Sequence, residues 1–214
     1  QLQLERNDKE GPNAIHGFVR NLPWQVARAE AGCVVFNVRL EAGEYGRKGY
    51  PFSLAIQVTY GLDDQGLSCS FDVRNSGTRP APVGVGFHPY FTVGSTMIDE
   101  AEARIPASGF LEFNDRLAPT GKVLAASGTE WDCRDYRRIG SKKVNHCYVH
   151  LERDAEGMAT ASLRHAVNGR VIEVTMDRSF SAIVVYTGDA IADAPRRACA
   201  IEPMTCASDA FNHP

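Results

Sequence analysis

From Phe52 to Val73 the side chains alternate in character almost without a break, and that alternation restricts what the chain can fold into. Phe52, Leu54, Ile56, Val58 and Tyr60 fall on one face of an extended strand, and Ser53, Ala55, Gln57 and Thr59 on the other. Leu67, Cys69, Phe71 and Val73 alternate in the same way with Ser68, Ser70, Asp72 and Arg74, and Val34, Phe36, Val38 and Leu40 share a face upstream. A period of two carried by β-branched and aromatic residues predicts half-buried strands. Turn chemistry lies between the runs. Gly61-Leu62-Asp63-Asp64-Gln65-Gly66 separates two of them as a hairpin loop would. Asn168-Gly169, between runs at Ala159–Ala166 and Val171–Met176, is a dipeptide that favours a two-residue hairpin turn. Further strands are predicted at 183–187 and 198–201, with short helical turns near 190–194. No window of helical length holds an apolar period of 3.6 residues. The expectation is one all-β domain over residues 1–214, an antiparallel sandwich or barrel.

Charge narrows the partners. Lys and Arg total 23 against 26 for Asp and Glu, a net charge of -3 with no like-charge block, which disfavours nucleic acid and anionic membrane surfaces. The apolar runs are too short to span a bilayer. Six cysteines show no C-x-x-C spacing, so reduced thiols in a cytoplasmic protein are expected. A chain of 214 residues buries enough surface to fold without disulfides or a structural metal.

Three segments carry candidate chemistry. In Gly86-Phe87-His88-Pro89-Tyr90-Phe91 a histidine sits between aromatics immediately before a proline, in a rigid extended segment. Its ordinary pKa near neutrality suits a fixed proton donor; a core or edge histidine bonded to backbone is the competing reading. In Ala198-Cys199-Ala200-Ile201-Glu202-Pro203, strand geometry puts Glu202 on the face of Ala198 and Ala200. A carboxylate above small residues leaves room for a ligand, and partial burial would make it a better base; an exposed edge glutamate is the alternative. Asn13-Ala14-Ile15-His16-Gly17-Phe18-Val19-Arg20 holds a His-Gly unit whose default reading is a loop histidine. His146 and His150, four apart, lack a third ligand of recognisable spacing and read as surface histidines rather than a metal pair. No nucleotide loop, G-x-S-x-G elbow or H-E-x-x-H helix is present.

Taken in order, these segments resemble the aldose 1-epimerase (galactose mutarotase) family. The matching stretches are Gly11-Pro12-Asn13-Ala14-Ile15-His16-Gly17, Gly86 to Phe91, Pro119-Thr120-Gly121-Lys122, Val144-Asn145-His146-Cys147-Tyr148, and Ile201-Glu202-Pro203 followed by Asp209-Ala210-Phe211-Asn212. The resemblance implies an antiparallel β-supersandwich and interconversion of the α and β anomers of a free hexose such as galactose or glucose, without metal or organic cofactor. It implies His88 as general acid and Glu202 as general base, with His16 in a supporting role near the ring oxygen. Asn145 stands where many members carry a sugar-binding aspartate; it can still donate and accept hydrogen bonds but brings no charge. Members usually have an earlier segment with a substrate-contacting arginine, which Arg20 would partly replace, and a closing strand after the Asp-Ala-Phe-Asn region. A monomer or homodimer is expected.

Two other readings stay open. An anionic sugar, a hexose phosphate or a sulfonated sugar, would need a cationic clamp from Arg20, Arg47 or Lys48. A catalytically silent sugar-binding module on the same fold would have no need of both His88 and Glu202. Phe87, Tyr90 and Phe91 offer aromatic faces on which a pyranose can stack, with core packing as the competing reading.

Overall fold

The computed structural model describes residues 2–8 and 11–213. The chain divides into two compact units, Gln1–Pro82 and Val83–Pro214. The N-terminal unit is a four-stranded meander: β1 (Gln25–Glu30), β2 (Cys33–Leu40), a single helical turn α1 (Ala42–Tyr45), β3 (Leu54–Asp63) and β4 (Gly66–Asn75). Register pairs Phe36 with Val58 and Val58 with Phe71, and one rung on Val38 with Ile56 and Ile56 with Val73, so each alternating apolar set lands on one sheet face. At the end of that face Leu40 and Leu54 are buried with Tyr45 and Tyr50, and Phe18 and Leu22 pack against them. The β3–β4 turn is tighter than the six-residue loop expected, because the strands run on to Asp63 and restart at Gly66. Asp63 Oδ1 accepts the N–H groups of Gln65 at 2.8 Å and Gly66 at 3.2 Å, and Gly66 supplies a left-handed φ of 130°.

The C-terminal unit contains β5 (Tyr90–Phe91), β6 (Glu102–Arg104), β7 (Ala107–Phe113), β8 (Pro119–Ala125), β9 (Arg137–Arg138), β10 (Asn145–Leu151), β11 (Ala159–Arg164), β12 (Val171–Met176), β13 (Ala182–Tyr186) and β14 (Cys199–Met204). They form a six-stranded sheet in the order β5-β14-β13-β10-β7-β8 and a four-stranded sheet in the order β12-β11-β6-β9. Every strand pairing among the described residues is antiparallel, as the alternation predicts. Ile183 and Ile201 of the larger sheet and Ala161 and Leu163 of the smaller have no solvent exposure. Ala103, Trp131, Tyr148 and Val185 line a cavity of about 20 Å³, room for about one water.

One local expectation is corrected. Arg164 pairs with Val171, so the β11–β12 connection spans residues 165–170 and Asn168-Gly169 is not a two-residue turn. His165 Nδ1 accepts the N–H groups of Val167 and Asn168, and the Asn168 amide donates to Val93 O at 3.0 Å, so tertiary bonds override the dipeptide's preference. Residues 190–194 form short turns as expected, with the Ile191 N–H on Gly188 O and the Ala194 N–H on Ile191 O, both at 3.3 Å. That connection is tied to Arg196, whose guanidinium donates to Asp99, Asp189, Lys142 O and Gly140 O at 2.7–3.0 Å. No helix among the described residues is long and apolar enough to cross a membrane.

Candidate active site

Residues 85–91 run antiparallel to β14. The Thr205 N–H donates to Val85 O at 2.9 Å, Gly86 bridges Met204, the Phe87 N–H donates to Pro203 O at 3.1 Å, and Tyr90 pairs with Ala200. Gly86 leaves room for the Met204 side chain, whose sulfur would have to shift if a Cβ were added there. Pro89 has no N–H to give and interrupts the ladder between the two bonded stretches. The same register holds on both sides of the interruption, so His88 lies opposite Glu202. Their side chains meet, His88 Nε2 lying 3.3 Å from Glu202 Oε1. Because β5 flanks β14, Glu202 is not on an edge strand; the residue is 8% exposed.

The environment of this pair is poor in compensating charge. Glu202 has Val184 opposite it on β13, and Cys147 follows in the same row on β10. Burial pushes the Glu202 carboxyl up to about 8 and holds His88 below the usual histidine value. Both ionised forms are therefore costly alone. A pair of this kind retains one proton across the neutral range and titrates as a unit. Such an arrangement can take a proton from one oxygen of a ligand and return one to another.

The row beside Glu202 holds the remaining polar groups. Tyr90, Ala200, Tyr186 and Asn145 are successive cross-strand neighbours on β5, β14, β13 and β10, all on the Glu202 face. Ala200 is fully covered while Asn145 is exposed. The Tyr186 hydroxyl accepts the Ala190 N–H at 2.7 Å. Tyr90 stacks on the His88 ring, with centroids 5.0 Å apart and planes inclined by 25°. Burial, followed by the charges of Glu202 and Tyr186, pushes its phenol up to about 12.

His88, Glu202 and Asn145 thus come together on one sheet face. His16 and Arg20 form a pair within the N-terminal unit, Arg20 Nη1 lying 3.1 Å from His16 Nδ1. A guanidinium only donates, so His16 Nδ1 accepts there. His16 holds a left-handed φ of 64°, and Asn7 bonds both the N–H and the carbonyl of Ile15 just before it. Of the other cations named from sequence, Lys48 lies 3.8 Å from Glu44 and over the Tyr45 ring. His146 is not a surface residue. It lies on the opposite face from Asn145, with its centroid 4.5 Å from Trp131 and 5.2 Å from Phe110. The sequence reading did not single out Val184 or Tyr186, because only strand register puts them beside Glu202.

The chain is 29% identical over 213 residues to the uncharacterized protein YihR of Escherichia coli K12, covering 99% of this chain and 65% of that protein. It is 32% identical over 192 residues to galactose mutarotase of Sus scrofa, covering 84% of this chain and 54% of the relative. The chain therefore spans between about half and two thirds of the length of these relatives. In fold it is similar to a galactose mutarotase-like protein from Clostridium acetobutylicum, with a TM-score of 0.81 at 19% identity over 99% of this chain and 64% of that one. A putative aldose 1-epimerase from Escherichia coli K12 gives a TM-score of 0.79 at 19% identity, over 100% and 68% of the two chains. The sequence pattern of aldose 1-epimerases matches residues 1–214. On that match the chain belongs to the aldose 1-epimerase family.

Proposed function

We infer that this protein is an isomerase that interconverts the α and β anomers of a free hexose such as galactose or glucose. The observation that carries the reading is the His88–Glu202 contact of 3.3 Å between two groups on one sheet face. A cyclic sugar is a hemiacetal, so exchanging anomers requires the ring to open and close on the other face of the carbonyl. Glu202, as carboxylate, removes the anomeric hydroxyl proton while His88, as imidazolium, protonates the ring oxygen. The C1–O5 bond breaks, the aldehyde rotates about the C1–C2 bond, and the two groups reverse their roles to close it. Concerted transfers leave no large charge on the sugar, and each positioned group contributes roughly 10²–10⁴-fold. Asn145, on the same face, holds sugar hydroxyls. The six free thiols fit a cytoplasmic setting.

An anionic sugar is the second reading. What favours it is Arg20, exposed and bonded to a histidine rather than to a carboxylate. The test is anomer exchange of galactose and glucose followed by NMR, with His88→Asn as control. Acceleration that disappears in the variant supports the hexose reading. Acceleration seen only with a hexose phosphate or sulfonated sugar, weakened by salt, supports the second. Sugar binding without acceleration would leave a silent binding module.

A further inference from the structure

Tyr90 follows His88 by two residues, and the geometry between them is tightly constrained. The backbone on either side of His88 is pinned to β14, by the Phe87 N–H on Pro203 O and by the Tyr90–Ala200 pair, and Pro89 stiffens the link between. The plane of the imidazole is then set by its side-chain torsions, of which the last is broad for histidine, and by what touches the ring. The Tyr90 ring lies against the face of that imidazole at 5.0 Å and 25°. An aromatic face within about 6 Å of a cation attracts it, whereas a stacked aliphatic side chain of similar bulk does not. We propose that Tyr90 is a positioning residue for His88: its ring holds the imidazole plane with Nε2 on Glu202 and favours the imidazolium over the neutral ring.

This proposal rests on the reading of His88 as proton donor, and it adds the residue that prepares it. The titratable groups facing the imidazole within this unit are Glu202 from β14 and Tyr90 from β5, then Tyr186 from β13 along the row, with Cys147 of β10 beyond Val184. Of these, Tyr90 is stacked on the His88 ring. Its hydroxyl is not the operative group, so the aromatic ring alone should suffice. Tyr90 is 41% exposed, so replacing it does not hollow out the core.

The experiment is NMR titration of His88 in wild type, Tyr90→Phe and Tyr90→Leu, with the signal assigned among the six histidines by its loss in His88→Gln. Anomer exchange is measured on the same samples. Leucine keeps the site covered but removes the ring, so the His88 midpoint should fall by about half a unit. The turnover number should fall about tenfold with KM little changed, as expected when an interaction made in the transition state is lost. Phenylalanine should retain both. Should the leucine variant not fold, Tyr90→Met makes the same comparison. An unchanged midpoint in the aliphatic variant overturns the proposal, as does a phenylalanine variant that behaves like leucine. If wild type shows no anomer exchange, the functional reading fails, whereas the midpoints still decide whether Tyr90 governs His88.

Discussion

His88 and Glu202 are cross-strand partners although no backbone bond joins them. Gly86 bridges Met204 below and Tyr90 pairs with Ala200 above, and the unbroken register places the two side chains opposite each other with Nε2 3.3 Å from Oε1. The bonded pairs are Val85–Thr205 and Phe87–Pro203, so His88 and Glu202 fall at a non-hydrogen-bonded position, where facing side chains stand closest. Glu202 is thus held by β14, and His88 by a segment that is tied to β14 on both sides.

Replacing Glu202 by Gln should leave the fold and sugar binding intact while anomer exchange drops by roughly 10²–10⁴-fold, the usual worth of one positioned proton-transfer group. Saturation-transfer NMR on galactose or glucose gives the rate. Wild-type turnover in this variant would remove Glu202 from the mechanism.

The pH profile of exchange should be bell-shaped. Between the lowered value of His88 and the raised value of Glu202 the pair holds one proton, which rests on Glu202. The working form, with the proton on His88 and Glu202 ionised, has the same proton count and so follows the same pH limits. The pair becomes doubly protonated below the lowered value of His88, under 6.5, and loses its last proton near the raised value of Glu202, about 8. Rates measured from about pH 5 to pH 10 should fall at both ends. A flat alkaline side would mean that Glu202 is not titrating in this range.

Stability should respond to the same carboxyl. Its native value of about 8 lies above the ordinary 4.5, so between those values the folded chain keeps a proton that the unfolded chain has lost. Stability carried by this group is therefore complete below 4.5 and declines as pH rises toward 8. Glu202→Gln does not titrate and escapes that decline. Denaturant unfolding should find the variant near parity at about pH 4 and more stable than wild type by about 2–4 kcal/mol at about pH 9. Equal pH dependence in the two proteins would contradict the buried carboxyl.

Asn145→Asp adds a negative charge to the row two strands from Glu202 on the same face. The expected result is a change in sugar affinity or in the preference between galactose and glucose. A pull of the alkaline limb to higher pH should accompany it, because like charges oppose ionisation. Unaltered affinity, preference and pH profile would place Asn145 outside the pocket.

Arg196 tests the frame behind the site. Its side chain is 14% exposed and ion-paired with Asp99 at 2.9 Å and Asp189 at 2.8 Å, joining the 188–197 connection to the turn before β6. Arg196→Met leaves two acids and two backbone carbonyls without their donor. Unfolding should become easier by about 3–5 kcal/mol, as when one member of a buried ion pair is removed. A loss below about 1 kcal/mol in urea unfolding would show that water replaces the guanidinium.

The sequence by itself determined the kind of structure. Alternation in Val34–Leu40, Phe52–Tyr60 and Leu67–Val73 is a local property, and β2, β3 and β4 lie on those runs, although on β4 only Phe71 and Val73 of the apolar set are partly covered while Leu67 and Cys69 stay exposed. It also put Glu202 and Ala200 on a common strand face, which requires only a period of two. Tertiary structure decided the rest. That His88 faces Glu202, that Val184 makes the surroundings of the carboxylate apolar, and that Asn145 and Tyr186 join Tyr90 in one row all depend on strand order β5-β14-β13-β10. Strands far apart in sequence set that order, and no local pattern encodes it. The Asn168-Gly169 turn failed for the same reason, since a bond from Asn168 to Val93, distant in the chain, outweighed the dipeptide's own preference. Local sequence chose the elements, and the energy of long-range pairing chose their neighbours.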